Sequence, residues 1–243
     1  MGFFKDMKAQ RALAAHKKGN YEEACALYGE AYAEGMDKAR FLLPYAVLLL
    51  RKGEYEKARE VLKKVEKAPG GITPEQRKEM LTSYAVASWK LGRLEYALDL
   101  LREVYRKGPN GSIYGTLGFL LIEKGDLDEA LAFNKEAVEY DDEDPVALDN
   151  LAQTYYRLGN EKEEARKWFE KAIKCKKNAI DTNYFLALYD KEAGKLDDAR
   201  EKLETAREGR FSPLNYATIE RIDALLGEMN AMTEGEEECN HKP

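Results

Sequence analysis

A turn motif that recurs about every 34 residues is the feature that most constrains how this chain can fold. Each copy has a glycine followed five or six residues later by an alanine. The glycines are Gly19, Gly53, Gly92, Gly125, Gly159 and Gly194. The alanines are Ala24, Ala58, Ala97, Ala130, Ala165 and Ala199. Another small residue, usually alanine, precedes each glycine by seven positions. None of these residues carries out chemistry, so the pattern concerns packing.

The spacing of the small residues predicts pairs of closely packed antiparallel helices. Two helices joined by a tight turn approach closely only where both present short side chains, and positions i, i+4 and i+7 share one helix face. Glycine supplies the backbone freedom that the turn needs. One such pair cannot bury its own apolar face, so the pairs are expected to stack on one another.

The turns "GNYEEA", "GEYEKA", "GRLEYA", "GDLDEA" and "GKLDDA" resemble those of the tetratricopeptide repeat (TPR) family. The resemblance covers roughly residues 5–208. It implies an all-α fold, a right-handed α-solenoid of six TPR-like helix pairs closed by a C-terminal capping helix. The fifth turn, "GNEKEEA", has one extra residue and lacks the aromatic residue or leucine, so we expect a distorted turn there.

The repeats predict a single solenoid over residues 1–232. Its repeats are expected at 5–38, 39–72, 78–111, 112–144, 145–179 and 180–211. Ser212-Pro213 is typical of a helix start, which predicts the capping helix at 213–232. The remaining residues, 233–243, are predicted to be an acidic, disordered tail.

The period breaks once, at "KAPGGITPEQ" between the second and third copies. Thr73, Pro74 and Gln76 there have the pattern of a new helix start. Two interpretations stay open for the extra residues, a tolerated surface insertion or a loop that contacts a partner.

Composition predicts a soluble protein of a reducing compartment, which we interpret as cytoplasmic. Charged residues make up 35% of the chain and hydrophobic residues 44%, and no apolar run is long enough to span a membrane. The N-terminus shows no secretory signal pattern. Three cysteines without a CxxC pair indicate neither a disulfide framework nor a zinc site. The net charge of −6 does not favour nucleic-acid binding.

No set of residues has the spacing of a catalytic or cofactor site. The chain has two histidines, His16 and His241, and neither has a metal-ligand partner at a familiar spacing. Phosphate-binding glycine motifs are absent from the sequence, and the acidic residues alternate with lysine as on solvated helix faces. The sequence therefore predicts no enzymatic activity, no cofactor and no metal.

The TPR resemblance implies a concave groove lined by the first helix of each pair. Mapped onto this chain, the groove is mainly apolar and aromatic with a basic edge, and a continuous apolar wall favours a partner. The candidate binding residues are Leu43, Val47, Leu50, Arg51, Val86, Trp89, Lys90, Phe119, Ile122, Asn150, Gln153, Tyr156, Arg157 and Tyr184. Two alternatives stay open: some of these side chains pack between neighbouring first helices, and the basic edge is solvated.

These patterns lead to one main functional hypothesis and two rivals. The main hypothesis is a non-enzymatic scaffold or adaptor that binds a peptide or a segment of another protein in the groove. The alternative is a homo-oligomeric structural protein that associates through its N-terminal end, where Phe3 and Phe4 have no preceding helix to cover them. The third is contact of the same end with a membrane surface, because five basic residues accompany these aromatics: Lys5, Lys8, Arg11, Lys17 and Lys18.

Overall fold

The regular structure of this protein is helical. The computed structural model describes the backbone of residues 2–240 and the side chains of residues 6–232. Within that part of the chain no strand occurs, which confirms the all-α prediction. The helices are α1 (Gly2–Lys17), α2 (Tyr21–Ala33), α3 (Ala39–Arg51), α4 (Tyr55–Glu66), α5 (Pro74–Lys90), α6 (Leu94–Arg106), α7 (Gly111–Lys124), α8 (Leu127–Tyr140), α9 (Pro145–Gln153), α10 (Lys162–Cys175), α11 (Ile180–Glu192), α12 (Leu196–Arg207) and α13 (Ile219–Asn240), with a π-helical segment (Thr154–Gly159) continuing α9.

The helices form two compact units, which we call the N-terminal unit (Met1–Leu117) and the C-terminal unit (Gly118–Pro243). In the N-terminal unit α1 packs on α2, α3 on α4 and α5 on α6, and successive pairs contact each other through α2 with α3 and α4 with α5. In the C-terminal unit α9 packs on α10 and α11 on α12, and α13 contacts α12. This pairing is the one that the repeat predicts.

The recurring small residues lie at the predicted helix contacts. The side chains of Ala24, Ala58 and Ala97 in the N-terminal unit have no exposed surface, and the same holds for Ala130, Ala165 and Ala199 in the C-terminal unit. The large residue one turn after the alanine is also fully buried in most repeats, as Tyr28, Leu62, Leu101, Phe169 and Leu203 show. The small residues thus set the approach, and the large ones fill the space beside it.

The regular turns share one backbone geometry. Gly53 has φ +77°, and the N–H of Glu54, the next residue, donates to the carbonyl of Leu49 at 2.9 Å. The same bond, spanning five residues, closes the turns after α1, α5 and α11. A left-handed glycine with this bond is the Schellman ending of a helix, so the turn glycines are required by backbone conformation.

The fifth turn is distorted, as the extra residue predicts. The chain leaves α9 through the π-helical segment, and the equivalent closing bond, from the N–H of Glu161 to the carbonyl of Tyr155, spans six residues at 3.0 Å. Asn160 adopts the left-handed conformation, with φ 52°, so Gly159 is not the turn residue that the sequence suggested. A π-bulge absorbs one residue without breaking the helix pair.

The insertion between the second and third repeats ends in a complete capping box. Thr73 Oγ1 accepts the N–H of Gln76 at 3.2 Å, and Gln76 Oε1 accepts the N–H of Thr73 at 3.0 Å. Gly70 and Gly71 both have positive φ and lie outside the helices. The predicted start of α5 is confirmed, and a role of the insertion in partner contact stays a prediction.

The capping helix begins at Ile219, so the predicted start at residue 213 is wrong. Residues 212–218, which we call the capping segment, form turns instead. The N–H groups of Tyr216 and Ala217 donate to the carboxylate of Asp181, at 3.0 and 2.9 Å. Backbone groups bound in this way are not available to a helix, and a start signal in the local sequence does not reveal a distant carboxylate. Helix α13 then continues to Asn240, beyond the predicted end at 232; residues 241–243 and the side chains from 233 onward lie outside the described part.

One helix contact in the C-terminal unit departs from the repeat pattern. Asn134 occupies the place of the large apolar residue and is fully buried, with Nδ2 donating to Thr154 Oγ1 at 3.0 Å. Opposite it is Gly118 instead of alanine, and a Cβ built there would lie 2.1 Å from Asn134 Oδ1. Glycine is therefore needed at 118 because the polar side chain fills the space that alanine would take.

The close contact between Gly118 and Asn134 leads us to predict opposite effects of alanine at two glycines of the C-terminal unit. Gly118→Ala should lower the free energy of unfolding by about 1–3 kcal/mol, because the new methyl group overpacks against Asn134. Gly227→Ala, the matched control in α13, meets nothing within 4 Å and should raise stability by about 0.5–1 kcal/mol through helix propensity. Denaturant titrations followed by circular dichroism measure both changes. A stabilising Gly118→Ala would contradict the close approach.

Candidate functional site

The structure separates the fourteen candidate binding residues into two groups. Seven are buried and have little surface to offer a partner: Leu43, Leu50, Val86, Phe119, Ile122, Asn150 and Gln153. The other seven are half-buried or exposed: Val47, Arg51, Trp89, Lys90, Tyr156, Arg157 and Tyr184. For the buried group, the geometry agrees with the alternative that these side chains pack inside the helix stack.

In the N-terminal unit the half-buried candidates include one aromatic residue. Trp89 lies near the end of α5, and the Nζ atom of Lys90 is 4.0 Å from the centroid of its ring. Helices α3 and α5 contact each other, and α3 carries the half-buried Val47. A tryptophan with a lysine over its face forms a cation–π pair, and the Trp89 side chain stays half-buried.

In the C-terminal unit the candidates converge on a residue of the capping segment. The Tyr216 ring stacks on Phe185 with centroids 5.2 Å apart, and Tyr184 is 6.1 Å from it. The guanidinium carbon atoms of Arg157 and Arg221 lie 4.2 and 3.9 Å from the Tyr216 centroid. We define the Tyr216 cluster as Tyr156, Arg157, Tyr184, Tyr216 and Arg221; its members are half-buried except for Arg221, which is exposed.

A line of polar contacts fixes Arg157 in this cluster. Its Nη2 donates to Glu123 Oε1 at 2.6 Å, and its Nη1 donates to Gln153 Oε1 at 3.1 Å. Glu123 lies on α7, the first helix of the preceding repeat, so this part of the predicted basic edge is an ion pair between repeats. A guanidinium held by two acceptors keeps its plane in one orientation, which here places it against Tyr216.

Below the cluster lie two buried carboxylates. Gln153 Nε2 donates to Asp149 Oδ2 at 2.7 Å and contacts Asp181 Oδ2 at 3.4 Å, so one amide group bridges the pair. Thr182 Oγ1 donates to Asp149 Oδ1 at 2.6 Å. Asp181 accepts the two N–H groups of the capping segment described above, and α9, α11 and the capping segment are thereby joined through one polar network.

Burial shifts the pKa of the two acids in this network and of two tyrosines in the cluster. Burial, and then the charge of Asp181, raise the pKa of Asp149 to about 7. Burial also raises the pKa of Asp181, against the opposing effect of its backbone hydrogen bonds. Burial raises the pKa of the Tyr156 and Tyr184 hydroxyls, which therefore stay protonated and able to donate hydrogen bonds near neutral pH.

The two buried acids help to hold the fold. Asp149 and Asp181 are covered by protein, and their hydrogen bonds join α9, α11 and the capping segment. Among residues 6–232 no three His, Cys, Asp or Glu side chains come together in a way that could hold a metal ion. Burial raises the pKa of the Cys25 thiol, which lowers its reactivity. No described helix combines the length and the apolar character needed to cross a membrane.

Sequence reasoning missed Tyr216, Arg221 and the acidic pair as parts of one site. The local sequence pattern places Tyr216 inside the predicted capping helix at 213–232, so it gives no sign that this residue lies in a turn beside Arg157. Asp181 and Tyr216 are far apart in sequence, and the bond between them has no local signal. The Phe3 and Phe4 side chains, on which the self-association hypothesis depends, lie outside the described residues, and that hypothesis stays a prediction.

Comparison with known proteins agrees with this architecture. The family model described as "Tetratricopeptide repeat" matches residues 15–71 and 121–189, more than half of the chain. A TPR repeat-containing protein of Dictyostelium discoideum is 27% identical over 157 residues, 62% of this chain and 60% of that protein, so the match spans less than two thirds of the relative's length.

Solved structures show the same fold. A tetratricopeptide repeat protein from Parabacteroides merdae matches with a TM-score of 0.72 at 14% identity, over 93% of this chain and 84% of that one. A thermophilic TPR protein of Thermus thermophilus matches with a TM-score of 0.57 at 21% identity, over 80% of this chain and 98% of that one. The predicted all-α repeat solenoid is confirmed.

The buried carboxylate predicts a pH dependence of stability. The pKa of Asp149 is higher in the folded chain than in the unfolded chain, so between about pH 4 and about pH 7 the folded state binds the extra proton. The contribution of this group to stability is therefore largest at low pH and is lost as the pH rises, by at most about 1.4 kcal/mol per pH unit.

Asp149→Asn tests this sign directly. The amide keeps the shape and the bond to Thr182 and carries no charge, but its NH2 group cannot accept the N–H that Gln153 donates to Asp149. The variant loses that one bond at every pH, so the test is its pH dependence: it should lack the decline between about pH 5 and about pH 7. Unfolding free energies from urea titrations at each pH measure the effect. A parallel pH dependence in both proteins would show that another group titrates.

Proposed function

The chain belongs to the tetratricopeptide repeat family, and from that premise we propose that it is a non-enzymatic scaffold that binds a peptide or a segment of another protein. TPR folds serve generally in protein interactions. The observation that carries the finer proposal is the Tyr216 cluster of the C-terminal unit. Its three tyrosines and two arginines come from the π-helical segment, α11, the capping segment and α13.

The composition of the cluster supports a binding role. Tyrosine and arginine are the side chains most enriched at the energetic centres of protein interfaces, because each combines a large contact area with directed hydrogen bonds. The protonated hydroxyls of Tyr156 and Tyr184 can donate to the backbone carbonyl groups of a partner, and Arg221 is exposed. A partner segment with an apolar side chain and accessible backbone carbonyls fits this chemistry.

A second observation supports the proposal: parts of the Tyr216 cluster are already held in place before a partner binds. The ion pair with Glu123 and the bond to Gln153 hold Arg157, and the carboxylate of Asp181 holds the backbone of Tyr216. Side chains that are already ordered lose less conformational entropy when a partner binds, so more of the contact energy appears as affinity.

Trp89 in the N-terminal unit is proposed as a separate contact, because tryptophan is also a residue type enriched at the energetic centres of interfaces.

The experiment compares two positions inside the Tyr216 cluster with one exposed tyrosine outside it. Tyr184→Ala and Arg221→Ala each remove a member of the Tyr216 cluster, and Tyr140→Ala removes an exposed tyrosine at the end of α8. Partners captured by tagged wild-type protein are identified by quantitative mass spectrometry, and the leading partner is then measured with purified protein. We expect at least about tenfold weaker binding for the cluster variants and no change for Tyr140→Ala, as for truncation of an interface centre.

Two further measurements make the comparison decisive. Thermal unfolding of each variant establishes that the fold is retained, since Tyr184 also packs against the core that contains Leu203 and Ile222. Trp89→Ala tests the N-terminal contact independently. Equal binding by wild type and both cluster variants would refute the proposed site, and an equal loss in Tyr140→Ala would show that the effect is not local.

A further inference from the structure

The capping segment lies outside the helices beside the Tyr216 cluster. Within the segment, Ser212 N–H donates to Asn215 Oδ1 at 2.8 Å, and Leu214 N–H donates to Ser212 Oγ at 3.2 Å. The Asn215 side chain also hydrogen-bonds to the carboxylate of Asp181. Arg221 donates to the carbonyl of Tyr216. The backbone bonds that tie the segment to α11 are those from Tyr216 and Ala217 to Asp181.

These two bonds end on a carboxylate that has a second carboxylate beside it. Asp149 and Asp181 are both almost completely covered, and they share the amide of Gln153. Two like charges buried in one polar network repel each other, and a single proton removes that repulsion. Gain or loss of this proton therefore changes the charge of the carboxylate pair that holds the capping segment.

We propose that a proton shared by Asp149 and Asp181 controls the docking of the capping segment and, through Tyr216, regulates partner binding at the Tyr216 cluster. The second half of this statement rests on the proposed function; the first half does not. With one proton present, Asp181 holds the segment and the cluster is complete. When the proton is lost, the segment detaches and Tyr216 leaves the cluster.

The direction follows from the charges that face the pair. Asp181 accepts two backbone N–H groups, which favour its charged form, so the proton is held mainly by Asp149. From the π-helical segment Arg157 faces the pair, but its charge is already balanced by Glu123 of α7. From the capping segment the Asn215 side chain hydrogen-bonds to Asp181, which also favours its charged form. Arg221 of α13 lies over the Tyr216 ring, 3.9 Å from its centroid.

The raised pKa of Asp149, to about 7, places the transition near neutral pH. Water must reach the pair once both groups are charged, because two buried charges without solvation are costly. Helices α9 and α11 are each packed against a partner helix, whereas the capping segment is tied to α11 by two backbone bonds. Displacement of the segment is therefore the cheapest way to admit water.

Amide hydrogen exchange on the full chain tests the docking step without any partner. Protection factors, corrected for the intrinsic rate at each pH, are measured for the amides of Tyr216 and Ala217 at about pH 6 and about pH 8.5. We expect wild type to lose about tenfold or more of this protection at the higher pH. The turn amide of Arg93, which bonds to the carbonyl of Ser88 in the N-terminal unit, should keep its protection and is the internal control.

Three variants identify which group causes the loss of protection at high pH. Asp149→Asn should keep the protection at both pH values, because the titrating group is gone. Asp181→Asn should show low protection at both, because one amide oxygen replaces the two carboxylate oxygens. Thr182→Val removes the hydroxyl that stabilises charged Asp149, so the midpoint of the loss should move to higher pH. This third variant keeps the test valid if Asp149→Asn does not fold.

The outcomes separate this inference from the proposed function. Unchanged protection of wild type between the two pH values would overturn it, as would an equal loss in Asp149→Asn or an exchange increase confined to α9 and α11. None of these results concerns the binding experiment on Tyr184 and Arg221. Conversely, failure of those variants to weaken binding would refute the binding site and leave the proton-controlled docking intact.

Discussion

The close approach of paired helices at fully buried alanines is the contact on which the rest of this structure depends. Short side chains such as Ala24 and Ala165 allow the two backbones to come together, and the large residue one turn later fills the remaining space. Because each pair leaves an apolar face uncovered, pairs must stack, and a stack with one repeating contact has one repeating geometry. The turn glycines with positive φ belong to the same constraint, since only a short ending lets the second helix return along the first.

The C-terminal unit relaxes this constraint in two places and replaces apolar contacts with polar ones. At Gly118 and Asn134 the small residue is reduced further so that a buried amide fits. After α9 the π-helical segment takes up an extra residue, and it carries both Tyr156 and Arg157. A π-bulge changes the direction in which side chains leave the helix, and such bulges are frequent at functional sites. Two members of the Tyr216 cluster therefore lie within the irregular turn itself.

The candidate site was predictable in part, and the division follows the range of the interactions involved. Tyr156, Arg157 and Tyr184 are candidates because repeat position alone places them on the first helices. Phe119 and Gln153 were assigned to the groove by the same rule, yet both are buried, because repeat position does not say how neighbouring helices cover a side chain. The sequence did not suggest Tyr216 and Arg221 as candidates, because the hydrogen bonds to Asp181 that hold Tyr216 connect residues distant in sequence. One part of the proposed partner surface therefore follows from repeat position. The other part depends on Asp181, which holds the backbone of the capping segment.

The sequence by itself determined the helix pairs, their turns and the family, because all three follow from periodic small residues and from local backbone preferences that need no knowledge of distant contacts. It also determined the irregular fifth turn, since one extra residue must be accommodated wherever the chain runs next. Only the tertiary structure decided where α13 begins, which candidate residues are covered, and that Asp149 and Asp181 share one buried network. Those outcomes depend on side chains brought together from separate repeats, where desolvation and long-range hydrogen bonds outweigh local propensity.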